Sequence, residues 1–132
     1  MQSKQGLDML ERVRRIVETL PETEELIDGF GHTVMKVKGK TFVMMGENDG
    51  TPGLSFKSDK ETQFLLLHQS GYVKTPYIGH HGWVSIDKGS NPNWDELTGH
   101  IKEAYLLAAP KRLAQQVLKG GKGIGIDDTE QA

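Results

Sequence analysis

The chain has 132 residues, no cysteine and a formal net charge of −2. Its length corresponds to one domain. The lack of cysteine excludes disulfides, thiolate metal sites and cysteine nucleophiles, and the near-neutral charge argues against a strongly electropositive nucleic-acid-binding protein. The N-terminus lacks the apolar core of a signal peptide, and no apolar run has the length of a membrane span. We therefore expect a cytoplasmic protein with no membrane partner.

The first predicted element is an amphipathic helix. Apolar residues recur at spacings of three and four over residues 7–20, and Pro21 ends the pattern. Residues 21–31, which are acidic and contain several glycines, are expected to connect this helix to the next element, with one helical turn at 24–27.

Alternation with a period of two then predicts strands. Within residues 33–38, Met35 and Val37 share one face, and Lys36 and Lys38 share the other. Gly39 is placed for a tight hairpin turn into a second strand at 41–45. Residues 46–53 are rich in turn formers and are expected to form a longer loop, after which a third strand follows at 54–57.

Helical signals dominate the remainder of the chain. A capping-box pattern at residues 58–61 starts a helix that runs to about residue 68. Residues 72–81 are expected to be irregular, and 82–87 to form a fourth strand with Val84 and Ile86 facing inward. Asn93 and Glu96 form a cap-like pair for a helix over 94–109, and a further helix follows Pro110.

The order of these elements predicts an α+β fold, in which an antiparallel sheet carries helices packed on one face. Residues 1–119 form the predicted domain. Residues 120–132 are glycine-rich and then acidic, and are expected to form a flexible tail. The glycines of this tail do not predict a phosphate loop, because such a loop needs a strand before it and a helix after it.

The first candidate for binding is a set of lysines. Lys36, Lys38 and Lys57 lie on the polar faces of predicted strands one and three, and Lys40 and Lys74 extend the set. If these side chains share a face, they form a basic stripe that can follow phosphates. The alternative interpretation is an ordinary solvated sheet face.

The second candidate is a ring-rich segment that contains Tyr77, His80, His81 and Trp83, in a chain with 7% aromatic residues. An exposed Trp83 would anchor an interface or stack on bases. A Trp83 covered by a helix or by residues 72–81 would instead belong to the core, and the lysines would then be the better candidate. A small-molecule pocket between this segment and the sheet is a further alternative.

The sequence predicts no cofactor and no catalytic residue. No nucleophile–base pair and no matched pair of carboxylates appears, which favours a protein that is not an enzyme. His80 and His81 point to opposite sides of an extended backbone, and a metal site there would need further converging ligands. The acids of the first helix fall at pair spacings with its arginines, which favours a solvated helix face over a cation site.

Seven short motifs together resemble the MmcQ/YjbR family of small bacterial proteins. They are Leu-Pro-Glu-Thr-Glu at 20–24, Gly-Lys-Thr-Phe at 39–42, Leu-Ser-Phe-Lys at 54–57, Pro-Tyr at 76–77, Gly-Trp-Val at 82–84, Asp-Glu-Leu at 95–97 and Ala-Tyr at 104–105. The match covers about residues 7–112. The sequence departs at Ala104, where the family often has serine.

This resemblance implies a CyaY-like α+β fold and a DNA-binding role through a double-wing arrangement of strands. It supplies no catalytic residues. We therefore expect a non-enzymatic binding module whose partner is DNA. The alternatives are a protein–protein interaction domain and a small-molecule or metal-binding domain.

Overall fold

The computed structural model describes residues 1–88 and 90–119. The predicted tail at 120–132 lies outside the described residues. The helices and strands in chain order are α1 (Lys4–Val17), β1 (Thr23–Ile27), β2 (Thr33–Val37), β3 (Lys40–Asn48), β4 (Thr51–Phe56), α2 (Lys60–Leu67), β5 (Tyr72–Lys74), β6 (Val84–Ile86), α3 (Trp94–Ala108) and α4 (Lys111–Lys119), with a 3-10 turn at Gly79–His81 between β5 and β6.

A side-chain cap starts each of the first three helices, α1, α2 and α3. Ser3 caps α1 by accepting from the Gly6 N–H at 3.0 Å. The α2 cap is Asp59, which accepts from the Thr62 N–H at 2.7 Å, so the predicted capping box begins one residue late. Asn93 caps α3, as predicted. Each cap thus satisfies at least one N–H group that has no partner within its helix.

The strands form one antiparallel sheet with the order β1-β2-β3-β4-β6-β5. Two-residue turns join β2 to β3 and β3 to β4, with positive φ at Lys38, Gly39, Asp49 and Gly50. Positive φ at both central residues matches the twist of a tight hairpin. The hairpin predicted at Gly39 is confirmed. The longer loop predicted at 46–53 is wrong, because these residues continue the β3–β4 ladder.

Two strands were not predicted. Residues 24–27, expected as a helical turn, lie within β1, which pairs with β2 in continuous register. Residues 72–74, expected to be irregular, form β5 and pair with β6. Both strands are at the edges of the sheet, where one neighbour rather than local sequence holds the chain extended.

The apolar core lies between one face of the sheet and the helices. Residues opposite one another in an antiparallel pair point to the same face. The register therefore places a row of buried side chains on one face: Met35, Val43, Met45, Leu54, Phe56 and Val84. All four helices contribute to the same cluster, which confirms the α+β fold with helices packed on one face. We call the opposite face the outer face.

One α3 residue ties the core to the start of β1. The Tyr105 ring packs edge-on against Phe42 at a centroid distance of 5.5 Å, and its hydroxyl donates to the Pro21 carbonyl at 2.8 Å. Ala104, the position at which the sequence departs from the family pattern, is fully buried beside it. Within the described residues, no helix is long and apolar enough to cross a membrane.

Candidate binding surface

Two of the five predicted lysines share the outer face of the sheet. Lys36 lies on β2 between Met35 and Val37, which face the core. Lys57 directly follows the core residue Phe56, so the alternation of side chains along β4 places it on the outer face. Lys36 is directly opposite Glu24 of β1, so one acid lies beside one of these two lysines.

The other three lysines do not extend this pair into a stripe. Lys40 is opposite the core residue Val37, and Lys74 is opposite the core residue Val84, so the register places both on the helix-bearing face. The Nζ atom of Lys38 lies 2.7 Å from Oε1 of Glu22. The predicted five-lysine stripe is therefore wrong, because register and ion pairing separate its members.

Glu22 is held between two cations. Its Oε2 atom lies 3.1 Å from Nη1 of Arg112, and its Oε1 atom contacts Lys38. Hydrogen bonds from Arg112 and then from Lys38 lower the pKa of Glu22 from its ordinary value of 4.5 to about 2. This cluster joins the start of β1 to α4 and to the β2–β3 turn, and it gives Lys38 a structural contact.

Trp83 is buried, with 7% of its surface exposed. It lies outside the principal apolar cluster that includes its neighbour Val84. The inward orientation expected for Val84 and Ile86 is confirmed, since both pack on the core. A buried ring cannot stack on a base or fill a partner's pocket, so Trp83 does not serve as the predicted contact residue.

The residues around Trp83 are fixed to α2 by polar contacts. We call residues 75–83 the Tyr77 loop. Gln63 of α2 is buried, and its side-chain amide donates to the carbonyls of Gly79 at 2.6 Å and Trp83 at 3.0 Å. The Ser58 hydroxyl donates to the Gly82 carbonyl at 2.7 Å. The C-terminal half of the loop is therefore rigidly positioned on the fold.

Gly82 is required by this arrangement. Its φ is +97°, a conformation that side-chain-bearing residues rarely adopt. A Cβ atom at this position would also overlap the carbonyl oxygen of Ser58. The motif at 82–84 that carried part of the family resemblance is thus explained by the fold.

Tyr77 is the exception in this loop. Its side chain is 96% exposed, and its φ is +66°. The Ile78 N–H donates to the Pro76 carbonyl at 2.7 Å, so Tyr77 is the central residue of a three-residue γ-turn with positive φ, a rare and strained conformation. Strain of this kind costs about 1–3 kcal/mol and is concentrated at functional sites.

Two further rings and a lysine lie in or beside the loop. His80 and His81 are exposed, with ring centroids 3.9 Å apart. The expectation that they point to opposite sides of an extended backbone is wrong, because they lie in the 3-10 turn. The aliphatic part of the exposed Lys74 side chain lies over Gly79, leaving no space there for a Cβ atom. Within the described residues, no group of three or more histidines and acids is placed to hold a metal ion, so His80 and His81 have no such set of ligands around them.

A cavity of about 310 Å³ lies at a different place, between the α2–β5 turn and the start of α3. The hydroxyl of Tyr72 donates to Oε1 of Glu96 at its edge, at 3.1 Å. Burial, together with the hydrogen bond to Glu96, raises the pKa of Tyr72 to about 12. None of the predicted site residues lines this cavity.

Phe30 was not among the predicted contact residues, although its side chain is 89% exposed. It lies at the tip of the β1–β2 turn. Oδ1 of Asp28 accepts from the N–H groups of Phe30 and His32, both at 2.9 Å. The Asp-Gly-Phe-Gly sequence at 28–31 is a typical turn signal with an aromatic residue inside it, and this would have identified Phe30.

The fold and these surfaces define a small α+β protein with an antiparallel sheet, helices on one face and an exposed, strained aromatic loop. The YjbR family model matches residues 18–107, and the chain belongs to this family. The crystal structure of Deinococcus radiodurans protein DR2400, assigned to DUF419, is similar to this chain. Its TM-score is 0.67 at 20% identity, over 87% of this chain and 95% of that one, a likeness that shows the fold alone. A comparison with curated proteins gives no match.

Proposed function

We propose that the chain is a non-enzymatic binding module that contacts single-stranded nucleic acid through the Tyr77 loop. The observation that carries the proposal is the nearly complete exposure of Tyr77 at a φ of +66°. An exposed ring contributes little packing to offset this strain. The ring is instead available to a ligand, and the anchored C-terminal half of the loop limits the main-chain ordering that binding requires.

The chemistry around Tyr77 supports nucleic acid as the ligand. Tyrosine and histidine rings are sequence-tolerant platforms for base stacking, and His80 and His81 are exposed in the same loop. Residues 62–86 contain no aspartate or glutamate, so a phosphate backbone that follows this segment meets Lys74 and no acid of the segment itself.

The outer-face lysines Lys36 and Lys57 are a second place for phosphate contacts. Lys74 lies on the other face of the sheet by register. We therefore assign it to phosphates of the nucleic-acid strand whose bases stack on the Tyr77 loop. Because few cations take part, binding should be weak, and each phosphate contact should add about −0.7 to the log–log salt slope for a single strand. The proposal includes the cytoplasmic location expected from the sequence.

The test is fluorescence anisotropy with a labelled oligothymidylate at low salt. Loss of one stacked base costs about 1–3 kcal/mol, so Tyr77→Ala should weaken binding at least about fivefold. Phe30→Ala is the matched control, because it removes a comparably exposed ring far along the sheet. Lys74→Ala should reduce the salt slope, and Lys102→Ala, at an exposed position of α3, should not.

Two results would contradict this proposal. One is the absence of binding to any single or double strand at low salt. The other is an equal loss of affinity in Tyr77→Ala and Phe30→Ala. A third result would place the contact on the outer face of the sheet. In that case a duplex binds more tightly than the single strand, and Lys36→Glu/Lys57→Glu abolishes binding.

A protein partner is the second candidate, because α2, the helix that holds the loop, exposes Phe64 and Leu65. Aromatic rings beside exposed apolar residues are typical of interface hot spots. In a pull-down, Tyr77→Ala and Leu65→Lys would then both lose a protein that Lys36→Glu/Lys57→Glu retains, with no oligonucleotide bound.

A further inference from the structure

The free edge of β1 is a surface distinct from the Tyr77 loop, which follows the opposite edge strand. Within the described residues, β1 pairs with β2 and with no strand on its other side. The Asp28 N–H donates to the His32 carbonyl at 2.9 Å in register with this ladder. Because hydrogen bonding alternates along an antiparallel pair, Glu24 and Leu26 bond to β2, while Thr23, Glu25 and Ile27 direct their N–H and C=O groups outward.

This edge carries fewer of the features that prevent strand addition than the opposite edge does. Proteins protect edge strands with charged side chains, above all lysine, and with proline, bulges or very short length. The opposite edge strand, β5, has three residues, contains Lys74 and is soon followed by Pro76. The five residues of β1, in contrast, contain neither lysine nor proline, and their register with β2 is unbroken. Their charges are two glutamates, of which Glu25 is paired with Arg14.

Apolar side chains flank the free main-chain groups on both sides of the sheet. Val34 of β2 is not part of the core cluster and lies on the outer face. Leu26 is opposite Val34 and therefore lies on the outer face as well. Ile27 points to the other face, and both residues are exposed. Phe30, held by Asp28 at the end of the strand, adds a third exposed apolar group. An added strand would find main-chain partners and apolar contacts together.

The charges of the edge select the partner. Glu24 is exposed and makes no ion pair within the described part of the chain, and its one cationic neighbour in the sheet register is Lys36 on the β2 side. Glu25 is already bound by Arg14 at 2.7 Å. One register of a second copy is disfavoured: antiparallel pairing centred on Leu26 places Glu24 opposite Asp28 of the other copy. Like charges directly opposite destabilise a sheet.

We propose that the β1 edge binds an extended segment of a partner protein in which basic and apolar residues alternate. The segment adds a strand beyond β1, places a lysine or arginine beside Glu24 and covers Leu26 or Ile27 with apolar side chains. This inference does not depend on nucleic-acid binding, because it uses neither Tyr77 nor the lysines.

The test is hydrogen exchange measured by NMR on the full chain, with a short acetylated and amidated peptide of alternating lysine and valine as the probe. The amides of Glu25 and Ile27 should exchange rapidly in the free protein and slow at least about tenfold at saturation. The amides of Glu24 and Leu26, bonded to β2, should be protected with or without the peptide.

Three variants separate strand addition from other binding. Ile27→Pro removes one outward donor at a position where an edge strand tolerates proline, and it should abolish the protection of Glu25. Ile27→Thr keeps the donor and the branched shape, and should retain it. Glu24→Lys should reverse the preference from the lysine–valine peptide to a glutamate–valine peptide.

Unchanged exchange of Glu25 and Ile27 at saturating peptide would overturn the proposal. Equal affinity for the lysine and glutamate peptides would also overturn it, because charge selects the partner. A third result would assign the edge to a second copy of the chain instead. In that case the amides of Glu25 and Ile27 are already protected in the free protein, and light scattering shows a concentration-dependent dimer.

Discussion

The side-chain amide of Gln63 in α2 donates a hydrogen bond of 3.0 Å to the main-chain oxygen of Trp83. The same amide reaches the Gly79 carbonyl at 2.6 Å, so one buried side chain fixes both ends of the 3-10 turn that precedes β6. Trp83 is thus placed by a polar anchor. This explains why a ring-rich segment that resembles a binding site in sequence is largely a structural element.

Gln63→Leu should destabilise the protein by about 2 kcal/mol. The substitution preserves most of the side-chain volume but removes two buried hydrogen bonds, each worth about 0.5–1.5 kcal/mol. The Gly79 and Trp83 carbonyls keep only their main-chain donors, the N–H of Gly82 at 3.0 Å and the N–H of Thr75 at 3.4 Å. Urea unfolding measures the change. Gln69→Leu, at an exposed position just after the end of α2, should stay within about 0.5 kcal/mol of the parent. Equal effects of the two substitutions would contradict the anchoring role.

The sequence predicted the elements whose signals are local. Helix periodicity and caps located α1, α2 and α3 to within a few residues. The edge strands β1 and β5 were missed because pairing with a neighbour makes them extended. Thr23–Ile27 has no alternating pattern, and most of it is exposed. The β3–β4 hairpin was missed although Asp49-Gly50 is a strong two-residue turn signal.

The candidate site was predicted less well, because it depends on register and backbone conformation. The side of the sheet on which Lys40 and Lys74 lie is set by their pairing with Val37 and Val84. The sequence alone does not give this pairing. The φ of Tyr77 is likewise invisible in a Pro-Tyr-Ile sequence. Tyr77, His80 and His81 were nevertheless singled out by their density of rings, and they remain the candidate surface.

Gly82→Ala should destabilise the protein by more than about 2 kcal/mol. A left-handed backbone costs a non-glycine residue about 1–2 kcal/mol, and the new Cβ atom also overlaps Ser58 main chain, which cannot move without disturbing the start of α2. Gly99→Ala is the control. Gly99 lies within α3 with no atom near its Cβ position, so alanine should stabilise by about 0.5–1 kcal/mol. A neutral Gly82→Ala variant would refute the close approach.

The Glu22 cluster should make stability depend on pH at the acid end. The folded pKa of Glu22 is lowered to about 2 from 4.5. Its contribution is therefore fully present above about pH 4.5 and is lost as the pH falls towards 2. Glu22→Gln should be less stable than the parent at pH 7, and the difference should shrink across this window. Because Glu22 is 42% exposed, high salt should also reduce the difference.

Denaturant unfolding at pH 7, 4 and 2.5, each at low and high salt, would measure this coupling. Glu61→Gln is the control, because Glu61 is exposed in the first turn of α2 and makes no ion pair within the described residues. A difference between Glu22→Gln and the parent that stays constant with pH would exclude the ion cluster as its source.

Tyr77→Asn should leave the protein as stable as the parent, or more stable by about 0.5–1 kcal/mol. Asparagine tolerates positive φ better than tyrosine, and removal of a ring that is 96% exposed sacrifices little buried area. If the strain at this turn serves binding, the same variant should lose affinity for its ligand while it gains stability. Destabilisation by more than about 1 kcal/mol, measured by urea unfolding, would show that the ring packs against the fold and that the γ-turn has a structural cause.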